Sequence, residues 1–141
     1  GVQTCALPIL QTDLAGKKIL LVEDHKLNME IAKKILEKKQ MKVTCAYNGA
    51  EAVALFEKMP EYTYDAVIMD IRMPVMNGLE AAAAIRAGAK ADAKTIPIIA
   101  MSANAFAEDM EKSRRAGMNR HVAKPVEPER LFGVLSEIFS D

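Results

Sequence analysis

Tryptophan is absent from the 141 residues, and cysteine and histidine occur only twice each. The cysteines, Cys5 and Cys45, form no CxxC pair and no metal-ligand spacing, which argues against a disulfide scaffold or a cysteine zinc site. Two histidines poorly supply a zinc centre. Neither sign of charge dominates, because 19 basic and 19 acidic side chains give a formal net charge of +0. With no basic arm or charged block, nucleic acid is not an expected partner, and neither is direct membrane contact. No apolar run approaches the ~20 residues of a membrane span. Disorder is excluded by a hydrophobic content of 50% at zero net charge. What remains is one reduced, cytoplasmic α/β domain, large enough to fold on its core alone.

The first residues differ from the rest. GVQTCALPI (1–9) has no strand alternation, no helical period and no charge. It lacks the basic region of a secretory signal, and the first methionine is Met29. One back-translation reads GGAGTTCAGACGTGTGCTCTTCCGATC, which resembles a common short-read sequencing adapter. Residues 1–16 are therefore read as a leader outside the domain, with 1–9 a sequencing or cloning artefact. Residues 17–141 are read as the domain.

From Lys17 onward, apolar runs alternate with helical periods. KKILLVE (17–23), MKVTCAY (41–47), YDAVIMD (64–70), TIPIIAMSA (95–103) and RHVAK (120–124) read as strands. The continuous apolar cores of most of them suit strands buried on both faces. Between them, helical periods cover about 26–39, 50–58, 78–87 and 105–115, with a last helix opening at Pro128. Leu27, Ile31, Ala32, Ile35 and Leu36 form the apolar series of the first. Leu131, Val134, Leu135 and Ile138 form the stripe of the last. Nine methionines are read as core filler, and Cys45 as a small buried hydrophobe. Strict βα alternation predicts a flavodoxin-like (βα)5 doubly wound parallel five-stranded sheet. Chemistry in such sheets lies beyond the carboxyl ends of the strands.

The residues at those ends form a set. Strand one ends in Glu23-Asp24, strand three in Asp70, strand four in Ser102 and strand five in Lys124-Pro125. Crowded carboxylates repel unless a cation joins them. An all-oxygen donor set suits Mg²⁺, which takes one or two carboxylates and keeps waters. Asp24 and Asp70 are the expected ligands, with Glu23 direct or through water and the Arg72 backbone carbonyl as a neutral donor. Lys124 is expected on the far side. A metal on one flank and an ammonium on the other suit phosphoryl transfer, with Asp70 as nucleophile and Ser102 donating to a phosphoryl oxygen. Each residue alone has a plainer reading: Asp70 as a turn residue, Glu23-Asp24 as solvated loop acids, Ser102 as a local backbone hydrogen-bonder. Five together at one sheet edge outweigh those.

The stretches ILLVEDHKLN, VIMDIRMPVMNG, PIIAMSANAF and GMNRHVAKPV then resemble a response-regulator receiver domain of two-component signalling. The resemblance covers nearly all of 17–141. It implies strand order 2-1-3-4-5. It implies that Asp70 is the phosphoacceptor, Glu23 and Asp24 the acidic pair, Ser102 the switch hydroxyl and Lys124 the invariant lysine. It implies a cis peptide before Pro125. His121 lies where the family has an aromatic switch residue; the plainer reading is a strand histidine with no task. Arg72 and Asn104 are positioned to tune phosphate lifetime. Met73 and Met76 are read as shaping the Asp70 loop.

The implied function is a phosphoryl-accepting switch that takes its phosphate from a histidine kinase or histidine phosphotransfer protein. A phosphorylation-linked dimer through helix four, strand five and helix five is a further implication. Beyond self-phosphorylation and autodephosphorylation, no enzyme activity is expected: an aspartate-dependent phosphatase needs a second acid two residues on, where Arg72 stands. The competing class is a degenerate receiver acting as a phosphorylation-independent interaction module. The motifs look most like the C-terminal receiver of a hybrid sensor histidine kinase; a free-standing receiver is the alternative.

Overall fold

A computed structural model describes residues 13–103 and 107–140. The readings of residues 1–9, Cys5 and Asn104 lie outside the described residues. The order is β1 (Lys18–Val22), α1 (Lys26–Lys38), β2 (Lys42–Ala46), α2 (Gly49–Lys58), β3 (Ala66–Asp70), α3 (Gly78–Arg86), β4 (Ile98–Ser102), α4 (Ala107–Arg115), β5 (Arg120–Ala123) and α5 (Pro128–Phe139). The strands form one sheet in the order β2-β1-β3-β4-β5, and every pairing is parallel. This is the flavodoxin-like topology that the alternation predicts.

Burial explains the continuous apolar runs. Every residue of β3 and β4 is buried, because helices cover both faces. Alternate residues feed two cores. Leu20, Val22, Val67, Met69, Ile98 and Ala100 meet Ala52 and Phe56 of α2 and Ala81, Ala82 and Ile85 of α3. Ile19, Leu21, Ile68, Ile99 and Met101 meet Met29, Ala32 and Leu36 of α1 and Leu131 and Leu135 of α5. Local chemistry sets the helix starts. The Asn48 side chain accepts from the Glu51 amide at α2, and Asn77 with Glu80 forms a reciprocal capping box at α3. Pro128 occupies the first turn of α5.

Three details differ from the sequence reading. β4 begins at Ile98 rather than Thr95, because the Thr95 and Ile96 amides turn back to the Asp92 carbonyl and Pro97 has no amide to donate. The buried stripe of α1 is Met29, Ala32 and Leu36. Leu27 (63% exposed) and Ile31 (48%) instead face outward. Leu14 is buried in the α1/α5 core, so packing begins before Lys17. Cys45 is half-buried on edge strand β2, and that burial pushes its thiol above the ordinary value. No helix of the described residues is long and apolar enough to cross a membrane.

Candidate functional site

The strand order reverses between β1 and β3, and the expected site lies at their carboxyl ends. The backbone ladder carries each side chain there. The Glu23 amide bonds the Ala46 carbonyl, the Ile71 amide the Met101 carbonyl and the Lys124 amide the Ser102 carbonyl. Each residue is thus fixed one step past or at the end of a strand.

Glu23 and Asp70 are nearly inaccessible, at 2% and 5%. The Lys124 ammonium donates to Glu23 Oε2 at 2.7 Å and to Asp70 Oδ2 at 2.8 Å. The other oxygens are also engaged: the His25 amide donates to Glu23 Oε1 at 3.2 Å, and the Arg72 amide to Asp70 Oδ1 at 3.3 Å. Exposed Asp24 completes the cluster. Glu23, Asp24 and Asp70 each bring a carboxylate oxygen within 4.8 Å of the others. Lys124 is therefore not across the site from the acids, as the sequence reading had it. It bridges two of them.

One ammonium serving two buried carboxylates leaves an imbalance. Burial pushes the Glu23 carboxyl above its ordinary value, against the hydrogen bond from Lys124. The nearby Asp70 charge pushes the same way as burial. Burial alone lowers the Lys124 ammonium, but the hydrogen bonds to Asp70 and Glu23, with their charges, outweigh it and leave the group above the usual lysine range.

The loop after β3 is clamped by two glycines, Gly49 and Gly78. The Gly78 amide bonds the Ile71 carbonyl at 2.7 Å, and the Gly49 amide bonds the Met76 carbonyl at 3.0 Å. A Cβ at Gly78 would lie 2.3 Å from the Asp70 carbonyl oxygen, and one at Gly49 would lie 2.4 Å from that of Met76. Only a residue without Cβ permits these approaches. The clamp holds Val75 at φ 70°, a conformation costly for a β-branched residue. Met73 is buried beneath the loop and Met76 packs beside it.

Ser102 ends β4 and is buried at 4%. The Lys124–Pro125 peptide is cis. His121 lies half-buried on β5 opposite Ala100, whereas Ser102 pairs with Ala123. The structure thus brings Glu23, Asp24, Asp70 and Lys124 together, sets Ser102 beside Lys124 through the backbone and ties Arg72 to Asp70 by its amide. A groove of about 360 Å³ opens against Glu23 and Lys124, lined also by Asn28, Ile31, Ala32 and Val126. Asn28 was not singled out in the sequence. Its position in the first turn of α1, four residues after Asp24, is the signal that marks it.

A parallel (βα)5 sheet with an acidic cleft at its switch point defines a flavodoxin-like α/β protein with donors for a hard cation. The chain belongs to the response regulator receiver domain family, whose profile matches residues 19–136. It is 33% identical over 138 residues to hybrid signal transduction histidine kinase I of Dictyostelium discoideum, covering 96% of this chain and 8% of that protein. It is 35% identical over 121 residues to the sensory/regulatory protein RpfC of Xanthomonas campestris, covering 86% and 16%. The chain thus spans a small fraction of the curated relatives it matches. Among solved structures, the receiver domain of sensor histidine kinase PA1611 from Pseudomonas aeruginosa is 37% identical with a TM-score of 0.80, covering 90% of this chain and 100% of that one. That structure holds a magnesium ion in its active site cleft. Chemotaxis protein CheY4 of Vibrio cholerae is 28% identical, also with a TM-score of 0.80, covering 89% and 100%.

Proposed function

We propose that this domain is a phosphoryl-accepting switch of a two-component phosphorelay, with Asp70 as the acceptor. The observation that carries it is the Lys124 ammonium bonded to both Glu23 and Asp70 in a cleft where Asp24 adds a third acid. In the proposed reaction, the Asp70 carboxylate attacks the phosphorus of a phosphohistidine on a histidine kinase or histidine phosphotransfer protein. The P–N bond breaks and its electron pair returns to the imidazole. Lys124 stays against the acceptor and neutralises phosphoryl charge. The Ser102 hydroxyl donates to a phosphoryl oxygen, and His121 follows it as the switch residue.

The donor set fits Mg²⁺: every candidate ligand is an oxygen, and three carboxylates meet in one cleft beside the Lys124 ammonium. Glu23, Asp24, Asp70 and the Arg72 carbonyl would hold the ion, which supplies further charge neutralisation when bound. The magnesium of the PA1611 receiver supports this reading. The domain performs no chemistry beyond its own phosphorylation and dephosphorylation, and it works in the cytoplasm as part of a hybrid kinase. The phosphodonor docks along the groove beside Ile31.

Asp70→Asn should abolish acid-labile phosphate incorporation from a small-molecule phosphodonor with Mg²⁺. Undiminished labelling of that variant would sink the assignment. A protein that binds neither Mg²⁺ nor beryllofluoride would instead be the degenerate interaction module.

A further inference from the structure

The groove against Glu23 and Lys124 holds one uncharged polar side chain, Asn28. The other side chains lining it, Ile31 and Val126 among them, are apolar. Asn28 is exposed in the first turn of α1, and its carboxamide makes no hydrogen bond to any described residue. It does not cap the helix, which starts without a side-chain cap bond. Asparagine is a poor helix former because its side chain competes for backbone bonds. Here it weakens the helix turn slightly and returns no bond to it.

The proposed transfer gives that carboxamide a partner. The donor ring lies beyond phosphorus, in line with the attacking Asp70 oxygen. The groove is the space for it: it opens against Lys124, whose ammonium holds Asp70 Oδ2 at 2.8 Å, and its volume of about 360 Å³ admits an imidazole. Of the two ring nitrogens, one is bonded to phosphorus. The other carries the proton with which the ring leaves as neutral imidazole. An N–H enclosed among apolar side chains costs free energy unless an acceptor meets it. Glu23 is nearly inaccessible and has both oxygens engaged, Oε2 by Lys124 and Oε1 by the His25 amide. Lys124 can only donate. The Asn28 Oδ1 is the uncharged side-chain acceptor among the described residues of the groove.

We infer that Asn28 recognises the imidazole of the phosphodonor, with Oδ1 accepting from the ring N–H while Asp70 attacks phosphorus. This rests on Asp70 being the acceptor. The P–N electron pair returns to the nitrogen that held phosphorus, the proton on the other nitrogen stays in place, and neutral imidazole departs. Asn28 thereby favours a phosphoryl group carried on a ring over one carried on a plain amine.

Two small phosphodonors test this on the full chain with Mg²⁺. Monophosphoimidazole carries the ring, whereas phosphoramidate has a P–N bond and no ring. The readout is the ratio of their initial labelling rates. Asn28→Leu, similar in size and a better helix former, should lower the ratio of monophosphoimidazole to phosphoramidate about tenfold. Asn28→Asp, which keeps an acceptor oxygen, should hold it within about twofold of wild type. An unchanged ratio in Asn28→Leu overturns the inference, because a residue acting on the phosphoryl group or on the acid cluster slows both donors alike. A ratio lost equally in Asn28→Asp overturns the acceptor role. A wild type labelled by neither donor, or an Asp70→Asn variant labelled as well as wild type, removes the Asp70 reading, and the Asn28 assignment falls with it.

Discussion

Replacing Lys124 by methionine takes the shared ammonium from two buried carboxylates. At an effective dielectric of about 20, each contact at 2.7–2.8 Å is worth up to about 6 kcal/mol. The cost of losing both is far smaller than their total, because Glu23 has an escape: it takes up a proton. Its ordinary value is 4.5, and burial already pushes it upward. Holding it protonated at pH 7 costs about 3.4 kcal/mol at 1.36 kcal/mol per pH unit, and at pH 5 only about 0.7 kcal/mol. The sign follows from proton counting. The folded variant holds a proton that the unfolded chain releases above about pH 4.5, so stability falls as pH rises from there through the raised folded value. The variant should therefore be less stable than wild type by about 3 kcal/mol at pH 7 and by less than about 1 kcal/mol at pH 5. Urea unfolding in chelator at both pH values measures this. Added Mg²⁺ should narrow the gap at pH 7, since the ion supplies the missing charge. An equal deficit at the two pH values would refute the shared-cation argument.

Three further substitutions probe the same structure. Gly78→Ala should cost about 2–3 kcal/mol and weaken Mg²⁺ binding, because its Cβ would collide with the Asp70 carbonyl. Gly133→Ala, in α5 with nothing within 4 Å of the added Cβ, should instead gain about 0.5–1 kcal/mol by urea unfolding; a gain at Gly78 or a loss at Gly133 would contradict the corresponding prediction. Ile31→Asp, on the groove, should slow transfer from a phosphorylated histidine phosphotransfer protein by about tenfold and leave labelling by a small phosphodonor intact. Equal slowing with both donors would place the docking surface elsewhere.

The fold was legible because the strands announce themselves twice. Ile19–Val22, Ala66–Met69 and Ile98–Met101 are apolar without interruption, and each is followed by the polar residue that the sheet edge requires. Alternation with helices then leaves little choice of architecture. The α1 face was misread because Leu27 and Ile31 satisfy a helical period as well as Met29 does. Hydrophobicity alone does not say which of two adjacent stripes turns inward. Sheet geometry decides it in favour of Met29, Ala32 and Leu36, and the excluded pair remains as exposed apolar surface next to the cleft.

The site was legible in its membership and not in its wiring. Strand ends place Glu23, Asp70 and Lys124 at one edge whatever their rotamers, so topology suffices to gather them. Whether Lys124 faces the acids across a gap or touches them depends on side-chain reach over separations of 101 and 54 residues. No spacing rule encodes such distances. Arg86 makes the same point more sharply. Its partners are the carbonyls of Ala93 and Gly117 and the side-chain oxygen of Asn119, none of them charged, so no opposite charge marks them in the sequence. Gly117 is the visible half of that pair. It reads as a helix stop, which is correct. The reason that stop cannot be relaxed to another residue lies in Arg86 Cγ, 31 residues away. A net charge of zero therefore conceals two half-buried cations in different settings: Lys124 is paired to the buried acids Glu23 and Asp70, and Arg86 to neutral oxygens of Ala93, Gly117 and Asn119.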